Sequence, residues 1–478
     1  MGMSLKRLLL TLAGLVVAAA VIAGFHFYRT GDIQQYLYER DQEAAKKLRP
    51  FPALPSRAMA FADVNVIPMN GDGLQSHRTV IIRGGLIEAV GPVNETAIPA
   101  GTDIVDAAGM FLIPGLSDMH VHLFDNPMAL ALFLANGVTS VRETGGTPTS
   151  LAWSGQIQAG EILGPNLYVT GPILGASEDS PSSRVIKTAA QGVAEVHREY
   201  DAGFRIVKPY TFLPKDAYYA IIKTAKALGM SSVGHIPYSV GLDGVIAAGQ
   251  DEIAHIHSFH QDFFSDFNPA KVFSEYAIKD NDLISIADRT KAAGLRVTTT
   301  LIVNTTLLDS HDIDTYLARP MQAYEIPSAA AYMRSKAWYF NKLWNASYLK
   351  SVYLPALNRL IQLLDERSVP LVLGTDSGAT GIVYGFSALE ELGLLVKAGL
   401  SPRAALLSAT AHAAAAVGEA GRWGTIEPGK RADVVLLRES PLTNIGAVKT
   451  IEGVAVRGAW LDRAALDSLL ERVRESYR

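Results

Sequence analysis

The chain has 478 residues, of which 49% are hydrophobic, 19% charged and 8% aromatic, a composition typical of a globular protein with ample material for a core. The net charge is −4 and no block of Lys and Arg exceeds a few residues, which argues against a nucleic-acid partner. Cysteine is absent, so disulfides and thiolate metal sites are excluded. A chain of this length fits a large α/β barrel of about 250 residues or more with a smaller companion domain.

The N-terminal segment, residues 1–30, predicts membrane targeting. An apolar run of about 20 residues follows Lys6 and Arg7 and is long enough to span a bilayer of about 30 Å as a helix, with the basic flank in the cytoplasm. The alternative is a signal peptide cleaved near residues 21–23. Both predict an extracytoplasmic body, either membrane-anchored on the periplasmic side or secreted. Residues 31–55, first charged and then rich in proline, are expected to form a stalk.

Two β-rich stretches flank the middle of the chain. Residues 56–113 and 425–465 alternate short apolar runs with glycine-rich turns and show no helical period. We expect them to form one small β-sandwich domain built from both ends of the chain, followed by a C-terminal helix over residues 466–478.

The middle of the chain, residues 114–424, alternates strands with helices, a pattern typical of a parallel sheet. Eight strands are predicted, the number in a (β/α)8 TIM barrel, whose active site lies at the carboxyl ends of its strands. Their ranges are 111–123, 137–144, 166–172, 204–210, 231–237, 252–258, 296–303 and 370–376. The connection 303–369 is unusually long and rich in Tyr and Trp, so we expect a functional loop or a lid there.

Polar side chains occur at the end of the first of these strands, GLSDMHVHL. His120 and His122 share one face, because residues two apart on a strand point to the same side, and Asp118 lies one step deeper on that face. Taken alone, the two histidines are either a metal chelate or two core side chains with separate hydrogen-bond partners.

Four other predicted strands also end in polar residues, namely Lys208, His235, His255 and Asp376. Each has a structural alternative: Lys208 could extend to solvent, and His235 or Asp376 could cap a helix. Together with the first pair, however, they would meet at one mouth of one barrel. Neutral imidazole and carboxylate suit Zn²⁺ where thiolates are absent, so the set predicts a metal site.

With these residues in place, the chain resembles the amidohydrolase superfamily, in its imidazolonepropionase-like and prolidase-like branch. The resemblance covers roughly residues 55–465. The matching motifs are PGLSDMHVHL, VGHIP, the IAH of the sixth strand, LGTDSG, and AGLSPRAALLSATAHAAAAVG followed by GTIEPGKRADVVLL. It implies two divalent metal ions, expected to be Zn²⁺. The first would be held by His120, His122 and Asp376, and the second by His235 and His255.

Lys208 matches the position at which binuclear members carry a carboxylated lysine that bridges both ions. Its amine must first be neutral, which burial favours. In the implied mechanism a metal-bridging hydroxide attacks a carbonyl carbon, and Asp376 passes the proton to the leaving amine. Tyr238 is the candidate donor to the carbonyl oxygen, with Tyr210 as its rival.

The chain also departs from the family pattern. Ala254 stands where many relatives have glutamate before the strand-six histidine. His257 and His260 follow, and we interpret them first as packing or solvent residues, although His257 shares the face of His255 and could reach a substrate.

The predicted function is hydrolysis of an amide bond in a small molecule, an N-acyl amino acid or an Xaa-Pro-type dipeptide. The alternatives are lactone, phosphotriester or cyclic-amide hydrolysis at the same site, or a non-catalytic anchored metal-binding module. Specificity is expected to reside in the loop 174–186 and in the segment 303–369. In that loop Arg184 could meet a substrate carboxylate or simply lie at the surface.

Overall fold

The computed structural model describes residues 32–71, 73–175, 182–263, 277–343, 345–379 and 381–478. The apolar run predicted to anchor the protein or to be cleaved lies outside these residues. Within the described ranges, no helix combines the length and the apolar character needed to cross a bilayer.

The small domain is a sheet built from both ends of the chain. Its strands are β1 Met59–Val66, β2 Gln75–Arg83, β3 Leu86–Pro92, β4 Asp103–Asp106, β5 Phe111–Pro114, β16 Val434–Leu437, β17 Ile451–Val456 and β18 Ala459–Asp462. The order is β3-β2-β1-β5-β16-β17-β18, and β4 pairs with β1. The two ends of the chain meet where β5 runs antiparallel to β16, with Ile113 opposite Val435.

The hydrogen bonds of this domain form one continuous sheet, so the expected pair of separate sandwich sheets is wrong. The register of β1 shifts twice against β2, after Phe61 and after Val64, and such bulges bend a sheet. The bent sheet surrounds one buried cluster that includes Phe61 and Val80 from the first half and Val434 from the second.

The large domain contains the eight predicted parallel strands. They are β6 Leu116–Val121, β7 Val138–Glu143, β8 Asn166–Val169, β11 Ile206–Pro209, β12 Ser231–Gly234, β13 Glu252–Ile253, β14 Arg296–Thr298 and β15 Leu371–Val372. Two short strands, β9 Ile173–Leu174 and β10 Ser183–Arg184, lie between β8 and β11. The arrangement is a TIM-barrel-type α/β fold, as predicted from the alternation of strands and helices.

The ladder falls into two pieces, β6-β7-β8 and β10-β9-β11-β12-β13-β14-β15, instead of one closed ring. Residues beside the strands connect the pieces. Met119 donates its NH to Leu373 O at 2.8 Å between the first and eighth strands. Gly171 donates its NH to Ile206 O at 2.7 Å between the third and fourth. The first and last ligand-bearing strands are therefore neighbours.

Helices follow the strands and cover the barrel. Their bounds are α1 Asp32–Ala45, α2 Met128–Ala135, α3 Pro148–Gln158, α4 Ala189–Ala202, α5 Lys215–Ala227, α6 Gly241–Ala248, α7 Asp280–Ala292, α8 Leu301–Asp309, α9 Ile313–Leu317, α10 Ala329–Leu343, α11 Ala346–Tyr348, α12 Leu354–Glu366, α13 Phe386–Lys397, α14 Pro402–Ser408, α15 Ala411–Ala416 and α16 Arg463–Ser476. Local sequence sets their limits. At α4, Thr188 and Gln191 form a reciprocal capping box, and Gly203 ends the helix at φ 104°.

Two predicted segments differ from expectation. Residues 303–369, which we call the insertion, were expected to be a loop or lid and are mostly helical, containing α9, α10, α11 and α12 and most of α8. Residues 31–55 were expected to be a stalk, yet α1 packs against the insertion because it carries an apolar face: Ala45 is buried with Ile326 and Ala329.

Candidate metal centre

The first group of the centre lies where the first and eighth strands meet. His120 is fully buried at the end of β6, and His122 follows just beyond the strand. The Nε2 atoms of His120 and His122 lie 3.3 and 3.1 Å from Asp376 Oδ1. One ligand atom from each of the three residues can be chosen so that all lie within 4.8 Å of one another, as a shared cation requires.

The chemistry of these donors fits a divalent ion. Asp376 Oδ1 is buried and accepts no well-formed hydrogen bond from the described residues, although two imidazole nitrogens face it. Burial, together with Lys208, lowers the pKa of His120 well below its usual value, so its imidazole is neutral. Burial acts against the ionised carboxylate, yet the neighbouring His122 and Lys208 hold the pKa of Asp376 below its usual value. A carboxylate with two imidazoles is a donor set for Zn²⁺ and similar ions.

Lys208 reaches the same group from the fourth strand. Its side chain is 1% exposed, and its Nζ lies 3.2 Å from His120 Nε2. Burial lowers the pKa of Lys208 to about 7. About half of the amine is thus neutral near pH 7, and the neutral form is the one that takes up CO₂ to become an anionic ligand.

His235 and His255 complete the set on the fifth and sixth strands. Their ring centroids lie 4.8 Å apart, and the ring of His255 lies 4.1 Å from that of His120. Each Nδ1 contacts a threonine hydroxyl, Thr211 at 2.7 Å and Thr300 at 2.9 Å. These contacts leave both Nε2 atoms available for a metal, and burial lowers both histidine pKa values well below the usual value. The structure therefore brings all six predicted ligands into one chain of contacts.

Two of the ligands sit on unusual backbone. His255 has φ 68° and Asp376 has φ 63°, the left-handed region that non-glycine residues rarely adopt. Such conformations are held by surrounding structure and concentrate at functional sites. Here each turns a side chain inward at the end of a strand.

Residues that sequence reasoning missed lie beneath the ligands. Arg142 and Glu252 form a buried ion pair, each 2% exposed, and Arg142 Nε donates to Met119 O at 2.8 Å. Thr298 donates its hydroxyl to Glu252 at 2.5 Å. The pair connects the first, second, sixth and seventh strands. The available signal was one charged residue in each of two predicted strands, Arg142 in the second and Glu252 in the sixth.

The two candidate tyrosines have different partners. The hydroxyl of Tyr238 lies 2.9 Å from His260 Nε2, while His260 Nδ1 lies 2.6 Å from His257 O. Because a carbonyl only accepts, the Nδ1 carries the proton, and Tyr238 donates to Nε2. The ring of Tyr210 packs on His235 with centroids 4.2 Å apart, and burial raises its pKa.

The structure also gives the positions of the other residues that the sequence singled out. His257 stacks on His255 with ring centroids 4.7 Å apart, so it lies beside the ligand set. Ala254, where relatives have glutamate, is fully buried. Arg184 lies 3.5 Å from Glu195, which neutralises its charge, and part of the loop expected to set specificity, residues 176–181, falls outside the described ranges.

Comparisons with known proteins identify the family of the chain and a shared fold. A family model described as "Amidohydrolase family" matches residues 111–461. The dihydroorotase of Pelobacter propionicus is 39% identical over 66 residues, which are 13% of this chain and 15% of that protein, so the chain spans less than a sixth of this relative. Among solved structures, a bottromycin amidohydrolase superposes with a TM-score of 0.69 at 22% identity, over 92% of this chain and 93% of that one. A Xaa-Pro dipeptidase with bound methionine in its active site gives 0.64 at 18% identity, over 85% and 100%. At these identities the two structures show a shared fold.

Proposed function

Because the chain belongs to the amidohydrolase family, a family of hydrolases, we propose that it hydrolyses an amide bond in a small molecule with the help of two divalent metal ions. The observation that carries the proposal is the meeting of His120, His122 and Asp376 within 4.8 Å at the end of the first and eighth strands. Lys208, His235 and His255 extend this group and would hold the second ion.

The ions would polarise the scissile carbonyl and lower the pKa of a bound water. The chain's own residues would move the proton and orient the substrate. Asp376 would accept a proton from the attacking water on its carboxylate and deliver it to the nitrogen of the leaving amine. Its position supports this, because its Oδ1 faces Nε2 of His120 and of His122 at 3.3 and 3.1 Å and accepts no well-formed hydrogen bond from the described residues. The neutral amine of Lys208 would be carboxylated to give the bridging anion.

Tyr238 and Tyr210 would make different polar contacts with the substrate. Since the hydroxyl of Tyr238 donates its hydrogen bond to His260 Nε2, its oxygen is left to accept a hydrogen bond from another group. We therefore assign the donor to the carbonyl oxygen to Tyr210, the rival in our sequence prediction, whose ring already contacts the ligand His235.

The substrate class we propose is an N-acyl amino acid or an Xaa-Pro-type dipeptide. The fold shared with an amidohydrolase and a Xaa-Pro dipeptidase supports it. The local match to a dihydroorotase favours a cyclic amide as the second candidate. We also propose that residues 1–30 carry the body across a membrane, because their apolar run follows two basic residues.

The test is metal analysis of the purified full chain together with hydrolysis of a panel of N-acyl amino acids, Xaa-Pro dipeptides, cyclic amides, lactones and phosphotriesters. We expect two ions per chain and activity on an amide. Asp376→Asn should lose at least about a hundredfold in kcat, because an amide cannot relay the proton. Full hydrolysis by this variant would exclude the assigned role of Asp376. Two bound ions without activity on any substrate would favour a non-catalytic metal-binding module.

A further inference from the structure

The helix α1 lies against the start of α10 in the insertion. The ring of Tyr38 stacks on Tyr332 with centroids 4.3 Å apart and planes within 8°. Ser328 donates its NH to Asp41 Oδ2 at 3.1 Å and its hydroxyl to Leu37 O at 3.2 Å. These contacts join segments about 290 residues apart in sequence and fix α10 by its first turns.

The insertion in turn holds the segment that follows the ligand Asp376. Gly381 O accepts hydrogen bonds from Tyr316 OH at 2.8 Å and from Gln322 Nε2 at 3.0 Å. Gly381 has φ +88°, and a Cβ placed there would lie 2.6 Å from the sulfur of Met333 on α10. The next residue of α10 after Tyr332 is therefore packed directly against this segment.

Helix α1 also lies near the segment behind His122. Tyr384 donates its hydroxyl to His122 O at 2.8 Å. It lines a small cavity of about 20 Å³ together with Gln42 and Ala45 of α1 and Glu325 of the insertion. Both ligand-bearing loops of the first metal position are thus braced by elements that rest on α1.

We propose that α1 is a positioning element of the catalytic mouth, in which Tyr38 and Asp41 act through α10 on the segment that carries Asp376. This inference rests on the proposed function, because it takes Asp376 as the ligand and proton carrier. A displacement of about 1 Å at such a group can reduce a rate by about a hundredfold. The loss of α1 contacts should therefore lower kcat, while the metal remains bound by its other ligands.

The experiment compares Tyr38→Ala and Asp41→Ala with the matched variants Tyr38→Phe and Asp41→Asn in the full chain. Phenylalanine keeps the stacked ring, and asparagine keeps an oxygen that can accept from Ser328 NH. The measurements are kcat and KM on the amide found by the panel, metal content, and hydrogen exchange of residues 313–336 and 376–386. We expect the alanine variants to lose about tenfold in kcat, to change KM by less than about threefold, and to exchange faster in both segments. Asp41→Asn should behave like the wild type, and Tyr38→Phe, which keeps the stack on Tyr332, should lose less kcat and less exchange protection than Tyr38→Ala.

Wild-type exchange in both segments of the alanine variants would overturn the inference, whether or not any amide is cleaved. If the alanine variants exchange faster but the wild type hydrolyses no substrate of the panel, the contacts of α1 are confirmed and only the proposed function is rejected. Should the alanine variants fail to fold, Tyr316→Phe tests the other end of the same path, since it removes one donor to Gly381 O and leaves α1 intact. Unchanged kcat and unchanged exchange of residues 376–386 in that variant would equally overturn the proposal.

Discussion

Asp118 receives both hydrogen bonds that Thr375 can donate, one from its backbone NH at 3.0 Å and one from its hydroxyl at 2.5 Å. The same carboxyl accepts the NH of His120 at 3.3 Å. One buried side chain thus fixes the backbone just before Asp376 relative to the backbone of His120. Contacts within the protein thus set the spacing of two candidate metal ligands on different strands.

We expect Thr375→Val to weaken metal binding by about 10–100-fold, the usual effect of removing a partner that orients a ligand. Valine keeps the shape of threonine but leaves Asp118 without its hydroxyl donor. Thr375→Ser retains the donor and should bind metal like the wild type. Competition with a chelating dye measures the affinity, and equal affinities for the valine and serine variants would contradict this role.

Removal of the lysine amine tests the bridging ligand. Lys208→Ala should lose at least one of the two ions, because it cannot form the carboxylated side chain. Added acetate should restore part of the metal content and activity, since it supplies a carboxylate to the vacated space. Lys208→Arg, which keeps a positive charge and cannot carry the carboxyl group, should show no such rescue. A Lys208→Ala protein with two tightly bound ions in the absence of acetate would disprove the bridge.

The buried pair beneath the ligands should dominate stability. Glu252→Gln leaves Arg142 charged and without its ionised partner, which we expect to cost about 3–5 kcal/mol in the free energy of unfolding. The double variant Arg142→Met with Glu252→Met removes both charges and should lose clearly less than the sum of the losses in Arg142→Met and Glu252→Met. Urea unfolding of Glu252→Gln, the two methionine variants and the double variant measures these losses. Additive losses would show that the two charges do not depend on each other.

Glu325 predicts a dependence of stability on pH. Burial raises its pKa to about 7, and its titratable neighbours Tyr384 and Tyr477 stay neutral in this range. The folded state holds this proton more tightly than the unfolded state, so the stability that Glu325 contributes is fully present below about pH 4.5 and is lost as the pH rises to about 7. Glutamine does not ionise, so the Glu325→Gln variant does not lose this stability as the pH rises. Its Tm should exceed that of the wild type by a few degrees at pH 8 and match it at pH 4.5.

Sequence reasoning could bring the candidate ligands to one end of the barrel because the position of each depends on local geometry. His120 and His122 share a face through the two-residue period of a strand, and Asp376 follows a short apolar strand. The barrel-type fold followed from the alternation of eight strands with helices. These features need only a few neighbouring residues to be recognised.

The remaining features depend on contacts between distant segments. Arg142 and Glu252 are 110 residues apart, and neither strand indicates which charge the other side chain meets. The single bent sheet depends on how β1 shifts its register against β2, and the partner of Tyr238 on the turn after β13. The charged sequence of α1 predicted a solvent-exposed stalk, because its apolar face is narrow and its docking surface lies in the insertion.

The docking of α1 also orders the assembly of the protein in time. Ala45 leaves the ribosome 284 residues before Ala329, the residue it packs against, which at about 5–20 residues per second is a delay of about 15–60 s. Tyr477, which packs against the same cluster, follows Ala329 by 148 residues. Seven of the eight barrel strands are therefore synthesised before the whole surface on which α1 docks.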